Sequence, residues 1–382
     1  MRKILVYHIL PFFLSIAGLF AFLKLNGDKK VVASTPSTST TASILTSPNT
    51  ILLLGSSELS GGDPNNCKPY NFIAQNGKYS CVGLGSAGFQ SMAMLAKLYP
   101  YSNHLKDAKI TIIVSPGWFQ DDYAYGTSTN IMLEYMNANE FNACLPKDGS
   151  SDKYASAIAQ WTQHHFHDIN NAVTELKSLY YASYSTWIRN SLLAVPQYAN
   201  TLSAELKTIF FEKLQNSVEK GTYYHPPKSI DKNKYSKALD SLNHLVLSAM
   251  KENNNNPLGV EDTIFESEYK GKTKNIRNVP QRVNRELNDF ELLLGFLKEQ
   301  KANVKLVVQS LHPMVYANLK ELNDEMKEVM RIIKASEFTT LNMYTTDPSQ
   351  YDTKLLRDAM HMSDYGWLRV NEFIIKEYGL EK

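Results

Sequence analysis

Apolar residues fall into two patterns along this chain. The first is the short unbroken run: Ile51-Leu52-Leu53-Leu54, Ile110-Thr111-Ile112-Ile113-Val114 and Val304-Lys305-Leu306-Val307-Val308. Runs without polar alternation suit strands covered on both faces, as in a parallel sheet. Ser80–Val82 and Phe338–Leu341 are shorter candidates of the same kind. The second pattern is the helical stripe. Residues 90–98 carry Met92, Leu95, Ala96 and Leu98, and residues 284–301 carry Leu287, Phe290, Leu293, Leu294 and Leu297. That spacing puts the apolar side chains on one helix face. Strands alternating with helices predict an α/β fold with a parallel central sheet and right-handed crossovers. Residues 150–280 break the alternation. They are helix-friendly and aromatic, with Tyr180-Tyr181, Tyr223-Tyr224 and the Asn253–Asn256 run, and are expected to form a helical insertion.

A third apolar segment stands apart. Ile4 to Leu23 is twenty residues without Asp, Glu, Lys or Arg, about 30 Å as a helix, which matches a hydrocarbon core. A cleaved signal peptide would be shorter and would end in a small-x-small site; here the run ends Phe22-Leu23-Lys24-Leu25. Residues 1–24 are therefore expected to be a transmembrane anchor. Its orientation stays open, because Arg2 and Lys3 compete with Lys24, Lys29 and Lys30. Residues 25–49 are expected to be a Ser/Thr/Pro-rich linker, uncharged from Val31 to Asn49 and too polar to offset its ordering entropy. A folded domain is expected over 50–382.

Composition excludes several classes. The 382 residues are 43% hydrophobic and 20% charged, as in ordinary globular proteins. The 40 Lys and Arg nearly balance 38 Asp and Glu, and five of those bases against one acid lie in residues 1–48. A basic groove for nucleic acid is thus not expected. Three cysteines, Cys67, Cys81 and Cys144, are too few to staple the fold. Cys67 and Cys81 flank a 13-residue stretch, and a disulfide between them would suit an oxidising exterior.

In an open α/β sheet, chemistry belongs beyond the carboxyl ends of the strands. Three turns and one later pair stand out there: Gly55-Ser56-Ser57-Glu58-Leu59, Gly83-Leu84-Gly85-Ser86-Ala87-Gly88-Phe89-Gln90-Ser91, Ser115-Pro116-Gly117-Trp118-Phe119, and Asp358-Ala359-Met360-His361. A serine hydroxyl on a sharp turn, an imidazole to take its proton and a carboxylate to fix the ring make up the parts of nucleophilic acyl transfer. Glycines at a helix start can turn backbone N–H groups toward an oxyanion. Gly83-x-Gly85-x-x-Gly88 also matches a dinucleotide loop formally, but it does not open the first βα unit. No cofactor is expected. His164-His165-x-His167-Asp168 invites a metal reading, yet adjacent histidines on a helix diverge and no second cluster completes a cage, so no metal is expected.

The four blocks, in this order and together with the amino-terminal anchor, resemble the DltD family, D-alanine transfer proteins of teichoic acid D-alanylation related to SGNH hydrolases. The resemblance implies a three-layer α/β/α domain, single-pass in the cell membrane with the domain on the extracellular side. It implies Ser57 as nucleophile, His361 as general base and Asp358 as its orienting partner, with Ser56 in place of the aspartate of the SGNH Gly-Asp-Ser motif. Expected oxyanion donors are backbone N–H groups of Ser57, Glu58, Gly85 and Gly88. Gln90, Trp118, Phe119 and His312 are candidates for a substrate groove, with Tyr123 and Tyr125 as further aromatics. The implied reaction passes an acyl group, D-alanine or a relative, through an acyl-serine to lipoteichoic acid or another surface polymer. The implied partners are that polymer, a membrane-bound O-acyltransferase and an acyl-carrier system. An envelope esterase or thioesterase and a non-catalytic tethered partner are the alternatives.

Overall fold

The computed structural model describes residues 38–60, 62–128, 152–165, 222–224, 234–277 and 281–381, with residue 227 and scattered positions between 131 and 144. The run from Ile4 to Leu23 and the His167-Asp168 part of the histidine cluster lie outside these residues. Among the described residues no helix is long and apolar enough to cross a membrane.

Among the described residues six strands make one sheet: β1 (Thr50–Leu54), β2 (Ser80–Leu84), β3 (Lys109–Val114), β4 (Thr222–Tyr224), β5 (Asn303–Val308) and β6 (Thr339–Asn342), in the order β4-β2-β1-β3-β5-β6. Five are parallel, as the unbroken apolar runs predict; β4 adds to the edge antiparallel to β2. Tyr223-Tyr224, expected within a helical insertion, therefore forms a strand. Nothing in the local pattern marks it, because three residues carry no readable period and the pairing partner is 140 residues away.

Helices cover both faces. They are α1 (Thr38–Thr46), α2 (Pro69–Asn76), α3 (Ser91–Leu98), α4 (Lys153–His165), α5 (Tyr235–Asn253), α6 (Arg285–Glu299), α7 (Asn323–Ser336) and α8 (Asp364–Tyr378). Period-two alternation along each strand splits the core into two layers. Leu52, Leu54, Ile110, Ile112, Val304 and Leu306 point to one face, where they meet Met92 and Leu95 of α3, Phe290 and Leu294 of α6 and Val329 of α7. Ile51, Leu53, Ile113 and Val307 point to the other, toward Phe72 of α2, Val246 of α5 and Trp367 and Ile374 of α8. The result is the three-layer α/β/α arrangement.

Two sequence expectations change. The last part of the expected linker is helical: α1 carries a buried Leu45, with Ala42 and Ile44 packed on the core. The Cys67–Cys81 disulfide is not formed, and the stretch between the two contains α2, opened by Pro69 at the first helical position, where its missing N–H costs nothing. All three cysteines are free and buried.

Candidate active site

β1 ends at Leu54, and the chain turns at once through Gly55 and Ser56, both buried, to Ser57. The turn is held from several sides. Leu59 N–H donates to Ser56 O (3.1 Å) and Gly55 N–H to Leu84 O (3.3 Å). Ser56 Oγ donates to Ser86 O (3.2 Å) and accepts from Gly88 N–H (3.0 Å), so it ties the β1 turn to the β2 turn. Where those turns cross, a β-carbon on Gly85 would lie 1.8 Å from Gly55 O. Only glycine fits there.

The opposite wall comes from the segment between β6 and α8. Leu356 and Met362 pair as an isolated antiparallel bridge, and Arg357 N–H donates to His361 O (2.9 Å). This closes a tight loop over Asp358–His361. Asp358 Oδ1 accepts from the N–H groups of Met360 (2.8 Å) and His361 (2.7 Å), and Oδ2 pairs with His361 Nδ1 at 2.8 Å. His361 Nε2 then lies 3.2 Å from Ser57 Oγ. The Asx-type turn therefore aims the ring at the serine. Below the loop, Ser363 caps α8 by accepting from Gly366 N–H (3.1 Å), an arrangement worth about 1 kcal/mol.

The electrostatics fit a proton relay. Burial would raise the Asp358 carboxyl, but the hydrogen bond and charge of His361 and two backbone N–H groups hold it below the usual carboxylate value. The hydrogen bond to Asp358 raises the His361 imidazole; burial and Arg357 oppose, and the charges of Asp358 and Glu58 add. Burial pushes Glu58 up to about 7, against its own N–H, His361, the Ser56 N–H and Lys68. Lys68 is buried, donates through Nζ to Leu59 O (3.1 Å) and Ser60 O (2.8 Å), and is lowered by that burial.

These groups line a cleft of about 710 Å³. One wall is the nucleophile turn with Asn65 and Lys68, another is Arg357–Asp364 and Trp367, and the third is α5 through Val246, Met250 and Asn253. The insertion thus contributes a wall that sequence patterning did not assign to the site. Lys68 also went unseen, since an isolated lysine in a sequence reads as surface.

Other expected residues lie elsewhere. Gln90, Trp118, Phe119 and His312 are buried in the fold and do not line the cleft. Gln90 Nε2 donates to Tyr123 O (3.0 Å), and Phe119 packs edge-on against Phe290 in the layer on the other sheet face. His312 is a brace: Nε2 lies 2.8 Å from Leu258 O, Met314 N–H donates to Nδ1, and its own N–H donates to Ala359 O. Burial lowers its imidazole. Tyr123 and Tyr125 are exposed. Of the expected oxyanion donors, Gly88 N–H is taken by Ser56 Oγ.

Asp63, Cys67 and Asp364 approach one another as a possible metal set. Their carboxylate oxygens are already engaged by hydrogen-bond donors of the fold. Asp63 accepts from Cys67 N–H, Lys68 N–H and Asn71 Nδ2, Asp364 accepts from Asn65 Nδ2, and burial pushes the Cys67 thiol up, away from the thiolate a metal needs.

A parallel α/β/α sheet with serine, histidine and aspartate hydrogen-bonded in series over its carboxyl edge defines an α/β protein with a serine–histidine–aspartate constellation. More particularly, the chain belongs to the DltD family: the family model described as DltD protein matches residues 32–378. It is 24% identical over 355 residues to Protein DltD of Bacillus subtilis (strain 168), covering 88% of this chain and 84% of that one. To Protein DltD of Staphylococcus aureus (strain NCTC 8325 / PS 47) it is 22% identical over 332 residues, covering 85% and 80%. The family acts in D-alanylation of teichoic acids.

Proposed function

We propose that this chain is a serine-dependent O-acyltransferase that carries D-alanine to a teichoic acid-like surface polymer. The observation that carries the reading is the 3.2 Å approach of His361 Nε2 to Ser57 Oγ, with Asp358 Oδ2 2.8 Å from the far ring nitrogen. Ser57 Oγ attacks the carbonyl carbon of an activated D-alanyl ester while His361 Nε2 takes its proton. The tetrahedral intermediate collapses, His361 returns that proton to the departing group, and an alanyl ester on Ser57 remains. A polymer hydroxyl then attacks the ester, loses its proton to His361, and Ser57 leaves as the reprotonated alcohol. Asp358 holds the ring and balances the imidazolium in both halves. With the Gly88 N–H engaged, Ser57, Glu58 and Gly85 are the remaining candidate oxyanion donors among those expected.

Two further features support the reading. The cleft holds far more than an alanyl group, which suits an acceptor polymer segment. The uncharged run from Ile4 to Leu23 supports a single-pass anchor with the domain outside the cell, next to a membrane-bound O-acyltransferase and its acyl-carrier supply.

The test is mass spectrometry of the full chain in detergent with an activated D-alanyl ester. The expected result is one alanyl adduct on the peptide containing Ser57, lost in Ser57→Ala and His361→Ala and passed on to added polymer. Free D-alanine without polymer labelling would select a hydrolase. The absence of any adduct would leave a non-catalytic partner.

A further inference from the structure

Glu58 is a buried ionisable group beside the nucleophile that the acyl-transfer scheme does not use. Its Oε2 accepts from Ser56 N–H at 2.9 Å, which folds the side chain back across the turn that presents Ser57. Its Oε1 is buried without a hydrogen-bond partner among the described residues. An unpaired buried carboxylate oxygen costs free energy. It is tolerable where a positive charge appears close by during function, and the His361 ring, which can carry one, lies 3.2 Å from the hydroxyl of the adjacent residue.

We propose that Glu58 is a positioning residue of this site, fixing the nucleophile turn through Oε2 and serving with Asp358 as a second counter-charge to the His361 imidazolium. The proposal deepens the acyl-transfer reading and rests on it for its catalytic consequence. Other charges also face the pair. Asp358 and Arg357 act on the imidazole from the loop before α8, and Lys68 acts on the Glu58 carboxylate from the segment before α2. Asp63 and Asp364 act on Lys68 in turn. Burial holds Glu58 near 7, so it ionises in the range where an imidazole titrates, and each group favours the charged form of the other.

The sign follows from this mutual effect. With Glu58 ionised, the imidazole keeps its proton to higher pH. Removing the charge but keeping an acceptor for Ser56 N–H, as Glu58→Gln does, lowers the imidazole titration. Glu58→Asp keeps a charge near the ring while withdrawing it from Ser56.

The experiment reads the ring directly. Full-length protein in detergent is labelled with diethyl pyrocarbonate, which reacts with neutral imidazole, across a pH series, and the peptide holding His361 is quantified by mass spectrometry. In Glu58→Gln the labelling midpoint moves down by about 1 pH unit, the size of shift that a neighbouring charge produces. In Glu58→Asp it stays near the parent's. An unchanged midpoint in Glu58→Gln overturns the proposal, as does an equal displacement in both variants, which would mark a structural effect. If Glu58→Gln does not fold, Glu58→Asp decides alone, a displaced midpoint overturning the proposal. This readout needs no acyl transfer, so it separates failure of the proposal from failure of the functional reading. Where the parent forms the Ser57 adduct, the acidic limb of its pH–rate profile moves with the midpoint, and the plateau falls by up to about tenfold, the rate equivalent of one such unit.

Discussion

Gly85 lies against the backbone of Gly55: a β-carbon at position 85 would sit 1.8 Å from the Gly55 carbonyl oxygen. The contact joins the turn after β2 to the turn that carries Ser57. The neighbouring Ser56 Oγ bridge, to Ser86 O and Gly88 N–H, uses the same crossing. Two turns distant by thirty residues in the chain thus act as one platform.

Gly85→Ala should therefore destabilise the protein and displace the nucleophile together. A clash with backbone cannot be relieved by a side-chain rotation, so a loss of about 2–3 kcal/mol is expected, the upper range for overpacking. Chemical denaturation checks the stability, and the rate of Ser57 adduct formation should fall with it.

The two serines of the turn should separate. Ser56→Ala removes a hydrogen bond acceptor from the buried turn and leaves Gly88 N–H without its partner, costing about 1–2 kcal/mol. It should still form an adduct, at a reduced rate. Ser57→Ala should unfold within about 0.5 kcal/mol of the parent, the usual range away from buried networks, and form none. Denaturant midpoints and intact mass measure both.

Asp358→Asn should leave the fold and abolish most of the activity. The amide neither holds the ring in the required tautomer nor balances the imidazolium, and the corresponding change in serine-triad enzymes costs about 10⁴-fold. In the parent, the rate should rise with pH through the imidazole titration, which Asp358 moves above its ordinary value of 6.5. A pH–rate profile of adduct formation checks the direction.

Stability should fall as pH rises through weakly acidic values. Asp289 and Glu286 on α6 are buried together, and burial pushes Asp289 up from 3.8 to about 7 and Glu286 up as well. An acid raised in the folded state binds more protons there than when unfolded. Stability is therefore highest below the unfolded value and decreases between about pH 4 and 7. Asp289→Asn removes that contribution, so the fall with pH should be shallower in this variant. Thermal or denaturant unfolding across the pH series measures the slope.

How much of this was legible depends on the range of the interaction that fixes each feature. The unbroken runs of β1, β3 and β5 gave the parallel sheet, because burial on both faces is written into consecutive residues. The ends of those strands then pointed to the turn that holds Ser56 and Ser57, and Asp-x-x-His is short enough for one tight loop to join its members. The groove assignment failed for Gln90, Trp118, Phe119 and His312. A position after a strand says which edge of the sheet a residue reaches, but not which of the two helical layers receives its side chain. These four are spent on packing and backbone hydrogen bonds; Trp118 and Phe119 pack in the layer opposite the cleft, whereas His312 packs on Tyr351 on the cleft's own side without lining it. The α5 wall was hidden because its contact with the site is long-range, and Lys68 because an isolated lysine reads as surface.

The amino-acid order by itself determined the α/β class, the family likeness and the residue types able to move an acyl group, since local periodicity and short motifs depend on neighbours in the chain. Folding alone decided that Ser57 rather than Ser56 faces the imidazole, that β4 pairs with the sheet edge, and that Glu58 is buried beside the site. Those outcomes depend on contacts between segments tens to hundreds of residues apart, whose desolvation and geometry exist only once the chain has closed on itself.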